Sequence, residues 1–334
     1  MTRVSSHIRV VALAACLGAV LAPARSFAQR ADSSTEAAAR TYNVGIVRAD
    51  GVLIPFAQFD QGTWRPFWTG VSHSFSPEIP LTLRDVDRDW WRREPPALDW
   101  TLWRAEGPLA LKASAPRVVS TPCSTEVGLA TDLKPAGILP PPHQVPYPKA
   151  GLATTALVQF EPIAEVLRND TDWMRVQRAL EDQEFRNAEN RALADMHWNH
   201  PVEPRLRDRA PIDLQAVWHV KDSRFFYFEA MRRYPDRNPP KGKPPCELVT
   251  YVAGYFWEAP SERLRPVSVS ALISYCHMER ASFLWPLGVI RESARQFWVF
   301  QSAGWTGEVY GVTELVPSKG FIRPQLWHVA GRCR

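Results

Sequence analysis

At 334 residues, 45% hydrophobic and 22% charged, the chain has a globular composition and enough apolar mass for a sizeable core, which excludes wholesale disorder. Its formal charge of +5 overstates any attraction for polyanions. Residues 1–28 contain Arg3, Arg9 and Arg25 and no acid, so 37 of the 40 basic residues remain against 35 acidic ones, a balance of +2. The arginines are scattered among acids, and nucleic acid is not an expected partner.

Residues 1–28 have the three-part layout of a secretory signal peptide. Arg3, His7 and Arg9 form a basic start, residues 10–22 are apolar, and Ser26-Phe27-Ala28 offers small residues at the cleavage positions. The apolar run is too short to span a bilayer, so no transmembrane span is expected after signal removal. The expected location is secreted or periplasmic. A second reading takes Leu13-Ala14-Ala15-Cys16 as a lipoprotein site with Cys16 lipid-anchored, although the apolar run continues past the cysteine to Ala22. Residues 29–40 are polar and small, a flexible N-terminal segment ahead of a single β-rich globular domain over 41–334.

Strand character begins at 42–48. Asp50-Gly51 supplies a tight turn, and 52–59 returns as the second strand of a hairpin, with Pro55 marking an edge or a bulge. The same phrase of strand, turn, strand and nearby Trp recurs around 287–305, with looser echoes at 102–111 and 217–228. Such recurrence points to a mainly antiparallel β fold with a propeller-like arrangement of hairpins; a helix-decorated β-sandwich is the alternative. The Pro-rich stretch 134–149 is either an internal domain boundary or a long surface loop. From Asp170 to Met196 there is no Gly or Pro, and apolar residues recur at steps of three to five, so one long accessory helix is expected near 170–197. Strands then resume over 215–220, 225–232, 248–257, 267–275, 283–290, 297–301 and 308–315, with a short apolar stretch near Leu326-Trp327.

Outside the leader four cysteines remain, an even number suited to an oxidising compartment. Four cysteines allow three pairings; Cys246 with Cys276 is the favoured one, because both sit on apolar strand-like runs that could be neighbours, and it leaves Cys123 with Cys333. Their spacing matches no zinc module.

Candidate chemistry is sparse. Asp195, His197, His200 and Glu203 form a cluster able to hold zinc or copper; no other cofactor is expected. Pro201 pushes His200 out of helical geometry, so the competing reading is a polar helix C-terminus. Asp85-Val86-Asp87-Arg88-Asp89 begins like a calcium loop but lacks its glycine and its later acid. Ser72, His73 and Ser74 are neighbours in sequence, whereas triads are assembled from distant segments. Asp60, Glu308 and Glu314 could line a shared opening as paired acids. Trp90 and Trp91 are adjacent, so in a strand one faces outward as a platform for a glycan or peptide. Hydrolase, metalloprotease, P-loop and dinucleotide motifs are absent. The expectation is an exported non-catalytic binding or envelope-associated protein of unknown ligand. The alternative is an exported hydrolase with a metal at His197/His200 or a carboxylate pair in a central opening.

Overall fold

The structure, a computed structural model, describes residues 40–67, 99–121, 124–135, 137–141, 146–196, 200–220, 223–234, 247–275, 283–304 and 307–332. It is mainly antiparallel β, built from three sheets and short helices.

The first sheet closes on itself. It contains β1 (Thr41–Arg48), β2 (Val52–Asp60), β3 (Thr63–Pro66), β4 (Asp99–Arg104), β5 (Gly107–Thr121), β6 (Ser124–Thr131) and β7 (Lys149–Thr154). The order is β1-β7-β4-β5-β6-β2-β3, and β1 also pairs with β2, giving a six-stranded barrel with β3 as a flap on β2. Val47, Leu53, Leu102, Leu111, Leu129 and Ala153, one from each strand, join in a single buried cluster, the filled interior of a small barrel. The long strand β5 makes the corner. Its first half pairs with β4 and its second half with β6, with a register shift between Ala113 and Pro116, where proline's missing N–H is tolerated. The Pro-rich stretch connects β6 to β7 within this one barrel.

Two four-stranded meanders follow. The outer sheet is β10 (Ile212–His219), β11 (Phe225–Tyr234), β12 (Leu248–Glu258) and β13 (Leu264–Tyr275). The central sheet is β14 (Phe283–Glu292), β15 (Arg295–Gly304), β16 (Gly307–Val316) and β17 (Phe321–Arg332). Just before them, β8 (Gln159–Glu161) joins the central sheet at β14, and β9 (Ala164–Glu165) joins the outer sheet at β10. One short crossover therefore stitches both sheets together.

The central sheet is covered on both faces. Phe297, Val299, Tyr310 and Val312 meet the outside of the barrel at Ile46, Ile54 and Phe56. Val289, Trp298 and Leu315 meet Phe225, Tyr227 and Tyr255 of the outer sheet. The far face of the outer sheet carries helices α1 (Thr171–Glu181) and α2 (Gln183–Ala194), with a single turn α3 (Pro204–Arg207) beyond. Arg232 on β11 holds Glu189 of α2 in a buried two-pronged ion pair, with Nε–Oε1 at 2.8 Å and Nη2–Oε2 at 2.9 Å.

Three expectations change. The helix expected over 170–197 is broken at Asp182, which is extended (φ −69°, ψ 149°) and ends α1 while starting α2. Leu180 and Phe185 are both fully buried on the outer sheet. In an unbroken helix, residues five apart face about 140° away from each other, so the break lets both reach one surface. A ring of blades is not shown among the described sheets, because long-range pairing closes the N-terminal hairpins into a barrel. The tail, expected as a short apolar stretch, is the twelve-residue strand β17. No described helix is long and apolar enough to cross a membrane.

Candidate functional site

The barrel wall has a seam. β4 and β7 pair only through Thr101 with Thr154, Leu102 with Ala153 and Trp103 with Leu152. Continued in register, Arg104 would meet Gly151 and Ala105 would meet Ala150. However, β4 turns towards β5 at Ala105-Glu106, and β7 bulges at Ala150 so that Arg48 pairs with Lys149. The strands part, and a cleft of about 370 Å³ opens between Trp103, Arg104, Ala105 and Glu106 on one side and Lys149, Ala150 and Gly151 on the other. Phe160, Pro162, Ile163 and Leu287, from the crossover and β14, complete its lining.

The aromatic part is rigidly held. Trp103 Nε1 donates to Thr154 Oγ1 at 2.8 Å, and that hydroxyl donates to Ala156 O at 2.6 Å. Phe160 stacks on the indole with centroids 5.4 Å apart and planes 25° from parallel. Two glycines make room. A Cβ at Gly288 would lie 2.0 Å from the Phe160 ring, and one at Gly151 would lie 2.4 Å from Trp103 O. At the rim, Arg104 and Glu106 are 3.9 Å apart and largely exposed, a weak pair.

Behind Lys149 lies a belt of buried charge between barrel and central sheet. Lys149 Nζ donates to Glu308 Oε1 at 2.6 Å and to Tyr147 O at 2.9 Å, and the two charged side chains are 4% and 2% exposed. The Tyr310 hydroxyl donates to the same Glu308 oxygen. Arg48 bonds both oxygens of Asp50, donates to Ser120 O at 3.0 Å and lies 3.8 Å over the Tyr147 ring. Beside them His328 Nε2 is 3.1 Å from Glu126 Oε1, and its ring stacks on Tyr310. Burial pushes the Lys149 amine down to about 8, and the Arg48 charge adds to that, against the opposing pull of Glu308. Burial also raises the Glu126 carboxyl, with His328 opposing, and lifts the Tyr310 phenol, aided by the Glu308 charge.

Another buried acid sits between the two meanders. Glu229 Oε1 accepts from Leu284 N at 2.8 Å and from the Tyr227 hydroxyl at 3.2 Å. Burial pushes its carboxyl up to about 7, with those two donors pulling the other way.

The residues singled out by sequence are dispersed. Asp60 accepts from Thr41 and pairs with Arg65, Glu308 holds Lys149, and Glu314 is clasped by Arg295, which also donates to Gly62 O. Glu308 and Glu314 stand six residues apart on β16, about 20 Å along an extended strand, and do not form a pair. His200 is used internally. Its Nδ1 accepts from Val202 N at 2.9 Å, its Nε2 is 2.8 Å from Thr250 Oγ1, and burial together with the Arg207 charge pushes it down to about 4. Asp195 ends α2, and Glu203 begins α3. Among the described residues no three His, Cys, Asp or Glu side chains stand close enough to share a metal ion.

His197, Trp90, Trp91, the stretches 72–74 and 85–89, Cys16, Cys123, Cys246, Cys276 and Cys333 lie outside the described residues. Lys149 and Tyr147, by contrast, carry no sequence signal, because they close the Pro-rich stretch, where no periodicity marks a strand. Trp103 and Leu287 did stand out as members of recurrent hairpins, though nothing local showed that they share a cleft. Comparison with family models, with curated proteins and with solved structures finds no match, so the site is interpreted from its own chemistry.

Proposed function

We propose that this chain is an exported, non-catalytic binding protein that takes its ligand, a short glycan or peptide segment, in the cleft between β4 and β7. The observation that carries this reading is the cleft itself. It is opened by the parting of two strands, walled by a rigid Trp103–Phe160 stack and edged by Arg104 and Glu106. Rigid aromatic surface with a polar rim suits ligands that stack and hydrogen-bond at little entropic cost. The buried acids next to or behind the cleft already have internal partners, which favours binding over acid–base turnover. We also read the two meanders as copies of one blade-like unit, since each is a four-stranded up-and-down sheet that receives a short strand from the crossover. Export follows from the leader and from the even cysteine count.

Calorimetric titration of the mature protein with panels of oligosaccharides and short peptides tests the binding reading. Phe160→Ala should weaken any detected ligand by about tenfold, roughly 1.4 kcal/mol, by removing half of the stack. A ligand whose affinity ignores this substitution binds elsewhere, and the cleft loses its role. Stoichiometric zinc or copper that disappears when His197 and His200 are replaced would put an exported hydrolase in place of this reading. Cell fractionation checks export directly.

A further inference from the structure

We propose that two copies of this chain pair edge to edge through β17, antiparallel about a two-fold axis at His328, so that their central sheets run on as one. The proposal goes beyond the binding reading and does not depend on it. The cleft lies beside β8 and β14, at the opposite edge of the same sheet.

A sheet edge offers unpaired N–H and C=O groups to any passing strand, and proteins ordinarily blunt it by shortness, charge or proline. Most edges among the described strands are blunted in this way. β8 and β9 have three and two residues, and β3 has four, with Arg65 and Pro66 among them. The parts of β10 and β14 beyond β9 and β8 carry Asp213 and Pro286. β13 is long, but along its second half it exposes only Ser268, Ser270 and Leu272. β17 is different. It has twelve residues, pairs on one side with β16, and carries no Lys, Arg, Asp or Glu from Gln325 to Gly331. Leu326 and Ala330 face the barrel, and His328 meets Glu126 there. Alternation turns Trp327 and Val329 to the other face, where they are 57% and 54% exposed. The indole is also held in place. It stands edge-on to Phe300 at 5.3 Å, and Gly311, between the two in the ladder, leaves the space that Phe300 fills. A Cβ at Gly311 would lie 2.3 Å from the phenyl ring.

The occupant is a second copy because the exposed pair is its own complement. Pro324 has no N–H to give, and β17 ends at Arg332, so a new ladder can use Gln325 to Gly331, a window centred on His328. In an antiparallel pair about that centre, each Trp327 lies directly across from Val329 of the other copy. The two large apolar side chains that one chain leaves bare are thus covered twice over, aromatic against β-branched, a favourable cross-strand match. Leu326 to Val329, which carry both side chains, stay in uninterrupted register with β16 between bulges at Gln325 and Ala330. A two-fold contact also closes on itself, using the same edge of both copies and leaving none for a third. The window of seven residues a side is well short of the roughly 20 to 30 of a standard interface. Pairing should therefore be reversible, with half-association on the order of 10 to 100 μM.

Sedimentation velocity on the full mature protein, from about 1 to about 200 μM, tests the pairing. The mass should rise from one chain to two and stop there. Val329→Glu sets a carboxylate against each indole and should weaken association at least about tenfold, and Trp327→Lys should do the same. Thermal midpoints of the variants check that each remains folded. The two substitutions together place opposite charges across the axis and should restore association to within about threefold of the unsubstituted chain. Leu272→Glu, on the other long edge, should change nothing. A chain that stays monomeric at about 200 μM overturns the proposal and leaves the β17 edge to a different protein. Association that ignores Val329→Glu, or that Leu272→Glu abolishes, overturns it as well. A mass that keeps growing past two chains rules out the closed pair, and a double variant that fails to recover what each single one loses rules out the register centred on His328.

Discussion

On the side of the central sheet that meets the outer sheet, Val289, Trp298 and Leu315 lie against Phe225, Tyr227 and Tyr255. On the side that meets the barrel, past an apolar zone, Glu308, Tyr310 and His328 approach Lys149 and Glu126. The same strands thus build one interface from aromatic area and the other partly from opposed charges. Apolar area is non-directional and tolerates small shifts. A buried ion pair is different: it repays its desolvation only when both partners and their remaining hydrogen bonds are in place. The cleft opens beside the interface of the second kind, where the barrel seam leaves apolar packing incomplete.

The sharpest way to break this contrast is at Trp298, fully buried between the meanders with its ring edge-on to Tyr255. Trp298→Ala should cost about 3–5 kcal/mol in urea denaturation, and a loss below about 1 kcal/mol would mean that aromatic area is not what joins the two sheets.

At the charged interface, Lys149→Met strands Glu308 in a nearly dry site and should cost about 3–5 kcal/mol. Adding Glu308→Gln should recover most of that loss, because the pair matters through the penalty for separating it. If the two substitutions instead add, the belt consists of independent contacts and the comparison fails.

Glu229 is the exception on the dry side, an acid held by a phenol and a backbone N–H rather than by a described cation. Its folded carboxyl is raised from 4.5 to about 7, so the folded state favours the protonated form. Stability from this group is complete below the unfolded value and falls as pH rises from 4.5 towards 7. Glu229→Gln should therefore leave stability unchanged near pH 4 and increase it by up to about 3 kcal/mol near pH 8, read from denaturation midpoints at the two pH values. A decrease at the higher pH would show that the ionised carboxylate is the form this interface is built around.

Much of the strand layout is visible in the chain itself. The four recurrent phrases are hairpins, β1–β2, β4–β5, β10–β11 and β14–β15, because alternating side chains and turn residues act between near neighbours. Glu308 also attracts notice as a candidate acid, but Asp60 and Glu314, grouped with it by their places near turns, pair elsewhere. Its actual partner is 159 residues upstream, at the end of a proline-rich loop. The accessory helix reads as continuous because each half is amphipathic, and the break at Asp182 answers to the shape of the outer sheet beneath it.

Local alternation therefore determined which residues can face a neighbouring layer, and the leader and cysteine count determined the expected setting. Which layer lies opposite was decided only in three dimensions, by β1 meeting both β2 and β7, by the crossover joining two sheets, and by the parting of β4 from β7. The physical reason is range. Propensity and turn chemistry act over a few residues, whereas barrel closure and the Lys149–Glu308 contact arise from surfaces meeting across most of the chain.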